Sequence, residues 1–375
     1  MNDPRQLLKV FCPDCGARTG YDPLIYRCGC GGAWEPLEQD SFSASDINHS
    51  RDTLWRYQRI FGLPALEEPV SLGAGWTPLL QTDWFGSRAL IKMEYLAPTG
   101  SFKDRGTEVE ASFLAGLGIR EVVEDSSGNA GASLAAYAAR LGMRATIYAP
   151  QDARPAKLAQ IRVFGARLVA VPGARMEATR AALNAVETGV VYASHAYSPT
   201  YLLGQQSFAW EVWEQLGGDL PDAVVIPAGQ GGLLMGAWLG FRRLLMAGRI
   251  KKIPRMFAVQ PERLAPIPSA FSAGLEDIPP AELPAEMSAA DGLAIIRPVR
   301  ARRILQALRE SGGQGLTVTE EEIIRAHHDL ALRGFFVEPS SAAAAAALPR
   351  VYRLIGADAK AIVALTGSGL KSPIS

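Results

Sequence analysis

The bulk composition of this chain gives no sign of a charged or membrane-embedded partner. Its 38 lysine and arginine residues balance 38 aspartate and glutamate residues, so the formal net charge is zero. A neutral chain has no general attraction for nucleic acid or for an anionic membrane surface, and we expect neither as a partner. It lacks any apolar run near the roughly 20 residues that a membrane-spanning helix needs. Met1–Val10 carries Asp3 and Arg5 and has no long apolar core, so it does not have the pattern of a secretory signal.

Cysteine is absent after Cys30, and all four cysteines fall between Cys12 and Cys30. A disulfide framework would be spread through a small secreted fold, so this distribution predicts a reducing, cytoplasmic location. The spacing is Cys12-x-x-Cys15 followed by Cys28-x-Cys30, and four thiolates suit a tetrahedral zinc ion. We therefore predict a structural zinc site at these four residues, with reduced, metal-free thiols as the alternative.

The remainder of the chain alternates short β-branched runs with longer helical patterns. Examples are the strand Glu121–Asp125 before a helix near Ala130–Leu141, and the strand Ala223–Pro227 before a helix at Leu233–Leu245. This alternation predicts an α/β fold with mostly parallel, twisted sheets flanked by helices. A chain of 375 residues is too long for one small core. We expect a ribbon of residues 1–40, a large lobe of residues 41–95 and 205–375, and a small lobe of residues 96–204. Proline-rich Pro261–Pro284 is expected to be an irregular surface excursion.

Lys103 stands in the segment Pro98-Thr99-Gly100-Ser101-Phe102-Lys103-Asp104-Arg105-Gly106, where a turn leads into a helical pattern. The positive end of a helix dipole favours the neutral form of an amine in the first turn. A neutral lysine is what an imine with an aldehyde cofactor requires. The alternative is a surface lysine paired with Asp104 or Glu108.

Two further loops have the composition of anion-binding turns. Ser126-Ser127-Gly128-Asn129-Ala130-Gly131 follows a strand and opens a helix, so its backbone N–H groups could bind a substrate carboxylate. The amide of Asn129 could bond a phenolic oxygen of a cofactor ring. An N-cap with tight helix–sheet packing explains the same residues without a ligand.

The glycine-rich turn Gly229-Gln230-Gly231-Gly232-Leu233 lies between a strand and a helix, where it could hold a phosphate without any lysine. A dinucleotide site would need an acidic residue after the next strand, but Gln260 stands there, so a mononucleotide-like phosphate site is favoured. Near the C-terminus, Thr366 in Thr366-Gly367-Ser368-Gly369-Leu370-Lys371 would present its hydroxyl at the carboxyl end of a buried strand.

Taken in order, these motifs resemble the threonine synthase branch of the fold-type II pyridoxal-phosphate enzymes. The stretch Phe336–Ala342, F-V-E-P-S-S-A, belongs to the same resemblance, which extends from about Thr77 to the C-terminus. It implies that Lys103 forms the imine with pyridoxal 5'-phosphate and that Asn129 contacts the cofactor's phenolic oxygen. By the same resemblance, Gly229–Leu233 cradles the cofactor's phosphate and Thr366 contacts its ring nitrogen.

The resemblance also implies which residues surround the amino-acid substrate, and it weakens at the second phosphate pocket. Ser101, Ser126, Ser127, Gly128 and Lys157 match substrate-side positions, and His195 is a candidate in the altered pocket, with a satisfied loop histidine as the alternative. The family typically has Asn-Pro, an Arg two residues on, and then Gly-Gln-Lys-Thr. This chain has Ser198-Pro199-Thr200-Tyr201 and then Gly204-Gln205-Gln206-Ser207, so the Asn, the Arg and the Lys are all replaced.

The function expected from the resemblance is a lyase that converts O-phosphohomoserine and water to threonine and phosphate, in a homodimer. A dehydratase or a β-replacing synthase acting on serine, threonine or O-phosphoserine is the second hypothesis, because G-Q-G-G-L is similar to the dehydratase glycine loop. A pyridoxal-phosphate-binding or regulatory protein without turnover is the third.

Overall fold

A computed structural model of the chain describes residues 8–37, 42–63, 69–84, 86–153 and 155–371. The chain divides into two compact units, the first made of Met1–Gly75 and Lys103–Gly204 and the second of Trp76–Phe102 and Gln205–Ser375. The ends of the expected ribbon, residues 1–7 and 38–40, lie outside the described residues. The sequence alone predicts residues 41–95 beside residues 205–375, whereas here the chain up to Gly75 groups with the unit that contains Lys103.

Thirteen strands are found in the described residues. They are β1 (Lys9–Phe11), β2 (Arg18–Gly20), β3 (Glu35–Pro36), β4 (Leu79–Trp84), β5 (Ser87–Lys92), β6 (Glu121–Glu124), β7 (Arg144–Pro150), β8 (Arg167–Val171), β9 (Val191–Tyr192), β10 (Ala223–Pro227), β11 (Arg255–Pro261), β12 (Gln314–Val318) and β13 (Ala361–Ala364).

Twelve α-helices, counted over the same described residues, connect or cover these strands. They are α1 (Gln58–Phe61), α2 (Lys103–Gly116), α3 (Asn129–Leu141), α4 (Pro155–Val163), α5 (Arg175–Val186), α6 (Pro199–Gln205), α7 (Ser207–Gln215), α8 (Gly232–Met246), α9 (Pro266–Ser272), α10 (Ala301–Glu310), α11 (Glu320–Leu332) and α12 (Pro339–Ile355). None of the helices described is long and apolar enough to cross a membrane.

The first unit contains a four-stranded sheet in the order β8-β7-β6-β9, and every pairing in it is parallel. Parallel strands need crossover connections, which α3, α4 and α5 supply. The cysteine-containing segment forms an antiparallel sheet, β2-β1-β3. Its Val10 and Trp34 share a hydrophobic core with Phe113 of α2 and Val122 of β6. The ribbon is therefore packed into this unit and is not an independent domain.

The second unit contains a six-stranded sheet in the order β12-β11-β10-β13-β5-β4, in which only the β4–β5 pair is antiparallel. The alanine run of α12, Ala342–Ala347, is buried against this sheet. Alanine suits this position because it favours the helix and lets the helix approach the strands closely. Trp84, at the end of β4, also bonds to this helix, because its indole N–H donates to the Ala345 carbonyl at 3.0 Å. Together the two sheets confirm the predicted α/β class.

One expectation about local structure is wrong. The proline-rich segment is not an irregular surface excursion, because it contains α9, in which Ile267 is fully buried and Pro266 begins the helix. The Gln260 side chain fixes this turn by accepting from the Ile267 N–H at 2.9 Å.

Candidate active site

Lys103 is the first residue of α2, as the turn-and-helix pattern predicts, and its side chain is half-buried. The helix that follows is buried from Asp104 to Leu114. Close packing requires glycine at two points: a Cβ on Gly106 would lie 2.5 Å from the Tyr201 ring, and one on Gly204 would lie 2.2 Å from the Arg105 carbonyl oxygen. These approaches hold the start of α2 against α6.

The two carboxylates considered as partners of Lys103 accept hydrogen bonds from other groups. Asp104 accepts from the Ser133 hydroxyl at 2.6 Å. Glu108 accepts from the Ser71 hydroxyl and the Tyr137 hydroxyl, each at 2.8 Å, and from the N–H groups of Leu72 and Ala74. Burial raises the pKa of Glu108 to about 7, although these four donors favour its charged form. Both acids therefore contribute to the packing of α2 within the first unit.

The loop from Ser126 to Gly131 joins β6 to α3, and both interpretations of it find support. Gly131 must be glycine, because a Cβ there would lie 2.0 Å from the Ser126 carbonyl oxygen. At the same time Gly128 is the N-cap of α3 and provides no side-chain cap, so the first N–H groups of the helix keep their capacity to bind an anion. A Cβ on Gly128 would meet nothing within 4 Å, so there is open space beside it. Asn129 is the first residue of α3 and is half-buried.

A buried cluster of acids and a histidine, which sequence reasoning only partly anticipated, lies at the end of β6. The Glu124 carboxylate contacts His195 twice, at 3.0 Å to the ring Nδ1 and at 3.3 Å from the His195 backbone N–H. The neighbouring Asp125 accepts from the Tyr192 hydroxyl at 2.8 Å and from the Thr179 hydroxyl at 2.5 Å. The signal in the sequence was the pair Glu124-Asp125 directly after a buried apolar run.

The electrostatics of this cluster favour neutral groups. Burial raises the pKa of Glu124 well above its ordinary value, and the negative charges of Asp125 and Glu110 raise it further. Burial lowers the pKa of His195 well below its ordinary value, with the positive charges of Lys103 and Arg175 acting in the same direction. Burial therefore disfavours the charged form of both groups, which are joined by hydrogen bonds.

Lys157 lies on α4, but its side chain is outside what the structure describes. The position that carries arginine in the resembling family holds Tyr201, which is 1% exposed and packed on Gly106.

In the second unit, the glycine turn between β10 and α8 has the form of a phosphate-binding loop. Gly231 is the N-cap of the helix Gly232–Met246 and has a φ of 74°, which only glycine adopts freely. A Cβ on it would also lie 2.5 Å from Ile304. Gln230 braces the loop, because its side-chain oxygen accepts from the Val299 N–H at 3.0 Å. The N–H groups at the start of a helix of this length suit a phosphate.

Thr366 follows β13 and lies in a hydroxyl pair with a residue that the sequence did not single out. Its Oγ1 is 3.1 Å from the Ser341 Oγ, and Ser341 in turn accepts from the Gly367 N–H at 2.8 Å. Thr366 is 3% exposed, and its carbonyl accepts from the Phe102 N–H at 3.0 Å. Ser341 stood within the quoted stretch F-V-E-P-S-S-A, but nothing in the sequence could show that it reaches Thr366.

Ser101, also in the second unit, pairs with Gly367 in an isolated antiparallel bridge and is fully buried. Its hydroxyl has no hydrogen-bond partner within the described residues. A buried hydroxyl of this kind is costly unless a ligand or water completes its bonding, so it is consistent with a ligand-binding role.

Four features occur on this α/β fold, which has two units and mostly parallel sheets. They are two glycine- and serine-rich helix starts, the lysine at the head of α2 and the hydroxyl after β13. This combination defines the class of protein. Residues 70–367 match the family of pyridoxal-phosphate dependent enzymes, and the chain belongs to that family. Pyridoxal phosphate is accordingly its cofactor. Each unit has groups that are chemically suited to it, an amine at the head of α2 in the first and helix N–H groups after a glycine turn in the second.

The comparisons with individual proteins agree with the resemblance found in the motifs. The chain is 34% identical to the threonine synthase of Methanocaldococcus jannaschii over 376 aligned residues, which cover 96% of this chain and 92% of that protein. It is also 34% identical to the threonine synthase of Synechocystis sp., covering 81% and 79%. Among solved structures, a threonine deaminase from the organism abbreviated T.th. superposes with a TM-score of 0.68 at 30% identity, covering 78% and 92%.

The four cysteines converge as their spacing predicts. Cys12 and Cys30 have their sulfurs 3.5 Å apart, and those of Cys15 and Cys28 are 3.6 Å apart, so the thiols are not joined in disulfides. All four sulfurs lie within 4.8 Å of one another. Gly32 leaves room for the cluster, because a Cβ there would meet an Asp14 carboxylate oxygen and would lie 2.8 Å from the Cys12 sulfur. Four convergent thiols are the donor set of a structural zinc site.

Proposed function

We propose that this chain is a threonine synthase, which converts O-phosphohomoserine and water to threonine and phosphate. The observation that carries the proposal is the 34% identity to threonine synthases along 96% of the chain. Each of the four motifs from which the function was predicted also begins a helix or follows a buried strand in the structure. An amino-acid substrate agrees with the family.

The proposal gives each unit a part in holding the cofactor and substrate. In the first, Lys103 would bind the cofactor's aldehyde, Asn129 its phenolic oxygen, and Ser126–Gly128 the substrate carboxylate. In the second, Gly229–Leu233 would bind the cofactor's phosphate and Thr366 its ring nitrogen. The proposal therefore also divides the chain into one lobe that carries the lysine and one lobe that binds the phosphate.

The bound cofactor supplies an electron sink for the substrate's α-carbon. Lys103 is the residue that can take the proton from that carbon, since it is a positioned amine at the head of a buried helix. Thr366 is neutral and already paired with Ser341, so it does not hold a proton on the cofactor ring as a carboxylate would. We expect this to favour elimination and replacement over transamination. A Thr366→Asp variant with an unchanged ratio of these reactions would contradict that expectation.

Binding of the substrate's own phosphate is the part that needs testing. Tyr201 and Gln206 stand where the family has cations, and both are buried. Burial lowers the pKa of His195, so its charged form is disfavoured, and its ring lies 3.0 Å from the Glu124 carboxylate. Ser101, Lys157 and His195 remain the proposed residues around the substrate.

A second candidate function is favoured by the same replacements and by the 30% identity to a threonine deaminase. In this alternative the chain eliminates a hydroxyl or phosphate group from threonine, serine or O-phosphoserine, and no cationic phosphate pocket is required when the leaving group is hydroxide. The third possibility, a cofactor-binding protein without turnover, has no observation in its favour.

One assay separates the three functions. The purified holoprotein is given O-phosphohomoserine, threonine, serine and O-phosphoserine in turn, and released phosphate, threonine and keto acid are measured. Phosphate and threonine formed together from O-phosphohomoserine support the synthase, and keto acid from threonine or serine supports the deaminase. Visible absorbance of bound cofactor without any product supports the third. A Lys103→Ala variant is the control that should abolish each activity.

We also propose that Cys12, Cys15, Cys28 and Cys30 bind a structural zinc ion. Metal analysis of protein purified without chelator should give about one zinc per chain, and a value near zero would refute the site. A homodimer in a reducing cytoplasm completes the proposal, supported by the four unpaired thiols and the family resemblance.

A further inference from the structure

One aromatic side chain of the cysteine ribbon, Tyr26, packs where the chain leaves β9. Its ring meets the Tyr192 ring edge-on, with centroids 5.3 Å apart and ring planes at 83°. It meets the Tyr197 ring in the same way, at 5.1 Å and 89°. Edge-to-face pairs at these distances are favourable beyond the apolar area that they bury. Tyr26 therefore contacts the chain near both ends of the loop between β9 and α6, residues 193–198, which we call the β9–α6 loop.

On the ribbon side, the position of Tyr26 depends on the hairpin that carries two of the four cysteines. Tyr26 stands two residues before Cys28, and Arg27 between them pairs with Ala33 in an isolated antiparallel bridge. The Cys28 N–H donates to the Gly32 carbonyl at 2.9 Å and closes this hairpin. The Arg27 guanidinium also lies over the Tyr26 ring, 5.2 Å from its centroid. Because a metal bound by thiolates stabilises the fold around it, metal in the cluster would also fix Tyr26.

On the other side, the β9–α6 loop is a compact turn that carries a residue proposed to lie beside the substrate. The N–H groups of Tyr197 and Ser198 both donate to the Ser194 carbonyl, at 3.1 and 2.9 Å. The Ser198 hydroxyl accepts from the Tyr201 N–H at 3.1 Å, at the start of α6. His195 lies within the turn, with its ring centroid 6.1 Å from that of Tyr201. A displacement of Tyr197 would therefore disturb the bonds that shape this turn.

We infer that Tyr26 is a positioning residue that couples the four-cysteine cluster to the β9–α6 loop. While the cluster holds its metal, the Tyr26 ring keeps Tyr197 and the turn around it in the position that binds the substrate. When the metal is lost, the hairpin that orients Tyr26 loosens and the loop opens more often. Tyr26 acts through the loop and does not touch the substrate. The inference rests on the proposed zinc site and on the proposed place of His195 beside the substrate.

The test compares three variants of the full-length holoprotein with wild type. Tyr26→Leu removes the ring and keeps an apolar side chain, whereas Tyr26→Phe keeps the ring. Tyr21→Leu is the matched control, because Tyr21 is another ribbon tyrosine but stacks on Phe113 of α2, with centroids 5.9 Å apart. Backbone hydrogen exchange of residues 193–198, followed by mass spectrometry, reports the opening of the loop without requiring any activity.

In Tyr26→Leu, exchange in the β9–α6 loop should be about fivefold faster than in wild type, because two aromatic pairs are lost. Tyr26→Phe and Tyr21→Leu should keep the wild-type rate in this loop. The KM for O-phosphohomoserine should rise in Tyr26→Leu by a similar factor with kcat little changed, since a displaced loop weakens binding and leaves Lys103 in place. Removing the metal from wild type with a chelator should also speed exchange in the loop, and added zinc should reverse the change.

Each outcome decides the inference. Exchange in Tyr26→Leu equal to that of wild type, or an equal increase in Tyr21→Leu, overturns it. Exchange in wild type that the chelator does not change also overturns it, and this comparison decides if Tyr26→Leu does not fold. A purified protein without bound metal would overturn the zinc site and the inference together.

The proposed function can fail separately. If O-phosphohomoserine gives no threonine, the synthase proposal is overturned, while the exchange of the β9–α6 loop still decides whether Tyr26 couples it to the cluster. In contrast, normal turnover by Tyr26→Leu with an unchanged KM and unchanged exchange overturns the inference alone.

Discussion

Glu110 allows the cost of a buried acid in this fold to be measured directly. It lies on α2, is 3% exposed, and has the Ser198 hydroxyl as a hydrogen-bond donor. Burial raises its pKa from 4.5 to about 8. The perturbation is Glu110→Gln, which keeps the shape of the side chain and removes its proton equilibrium.

The sign follows from comparing the folded and unfolded states. Below pH 4.5 the carboxyl is protonated in both states, so it costs nothing. Between pH 4.5 and about 8 the unfolded chain loses the proton while the folded chain keeps it, so stability falls as the pH rises. Above that interval the full penalty is present. At about 1.4 kcal/mol for each pH unit, it reaches about 5 kcal/mol.

The assay is urea unfolding of wild type and Glu110→Gln, followed by tryptophan fluorescence, at about pH 5 and about pH 9. The variant should gain several kcal/mol relative to wild type at the higher pH and little at the lower one. Glu177→Gln is the control, because that carboxylate is 41% exposed and paired with Arg180 on the surface of α5. An equal difference between wild type and Glu110→Gln at both pH values would refute the reasoning.

Three other predictions concern packing and metal binding. Lys92 and Glu211 form a fully buried ion pair at 3.0 Å, so Lys92→Met should cost about 3–5 kcal/mol in urea unfolding. Adding Glu211→Leu should recover part of this loss, and no recovery would contradict the pairing. Gly131→Ala should lower the thermal midpoint markedly, whereas Gly128→Ala, with open space at its Cβ, should lower it little. Removing metal with a chelator should lower the thermal midpoint of wild type, because Cys12 belongs to the core of the first unit, and an unchanged midpoint would argue against a structural ion.

The positions of the loops were predictable because each depends on a short stretch of chain. Gly231 needs a left-handed backbone angle before a helix, and a buried apolar strand precedes it, so both signals are local. The same holds for Lys103 at the start of α2 and for the cysteine knuckles. The positions of these features could be predicted without knowing which strands are neighbours, and the structure confirms those positions.

The sequence-based prediction was wrong where contacts with other segments decide the local structure. Prolines in the segment after β11 were expected to keep it irregular, but Pro266 is tolerated at the first position of α9, and Gln260 supplies the bond that fixes the turn. The extent of the lobes depends on which elements pack together, and composition says little about this.

The order of residues along the chain determined the α/β class, the family and the candidate cofactor contacts, because each rests on residues that are neighbours in sequence. Only the tertiary structure decided the contacts of side chains that meet across the sheets. Glu124 and His195 are 71 positions apart, and Ser341 and Thr366 are 25 apart. The first pair exists because the parallel strands β6 and β9 bring their carboxyl ends to one edge of a sheet. The second exists because the start of α12, which contains Ser341, lies beside the end of β13.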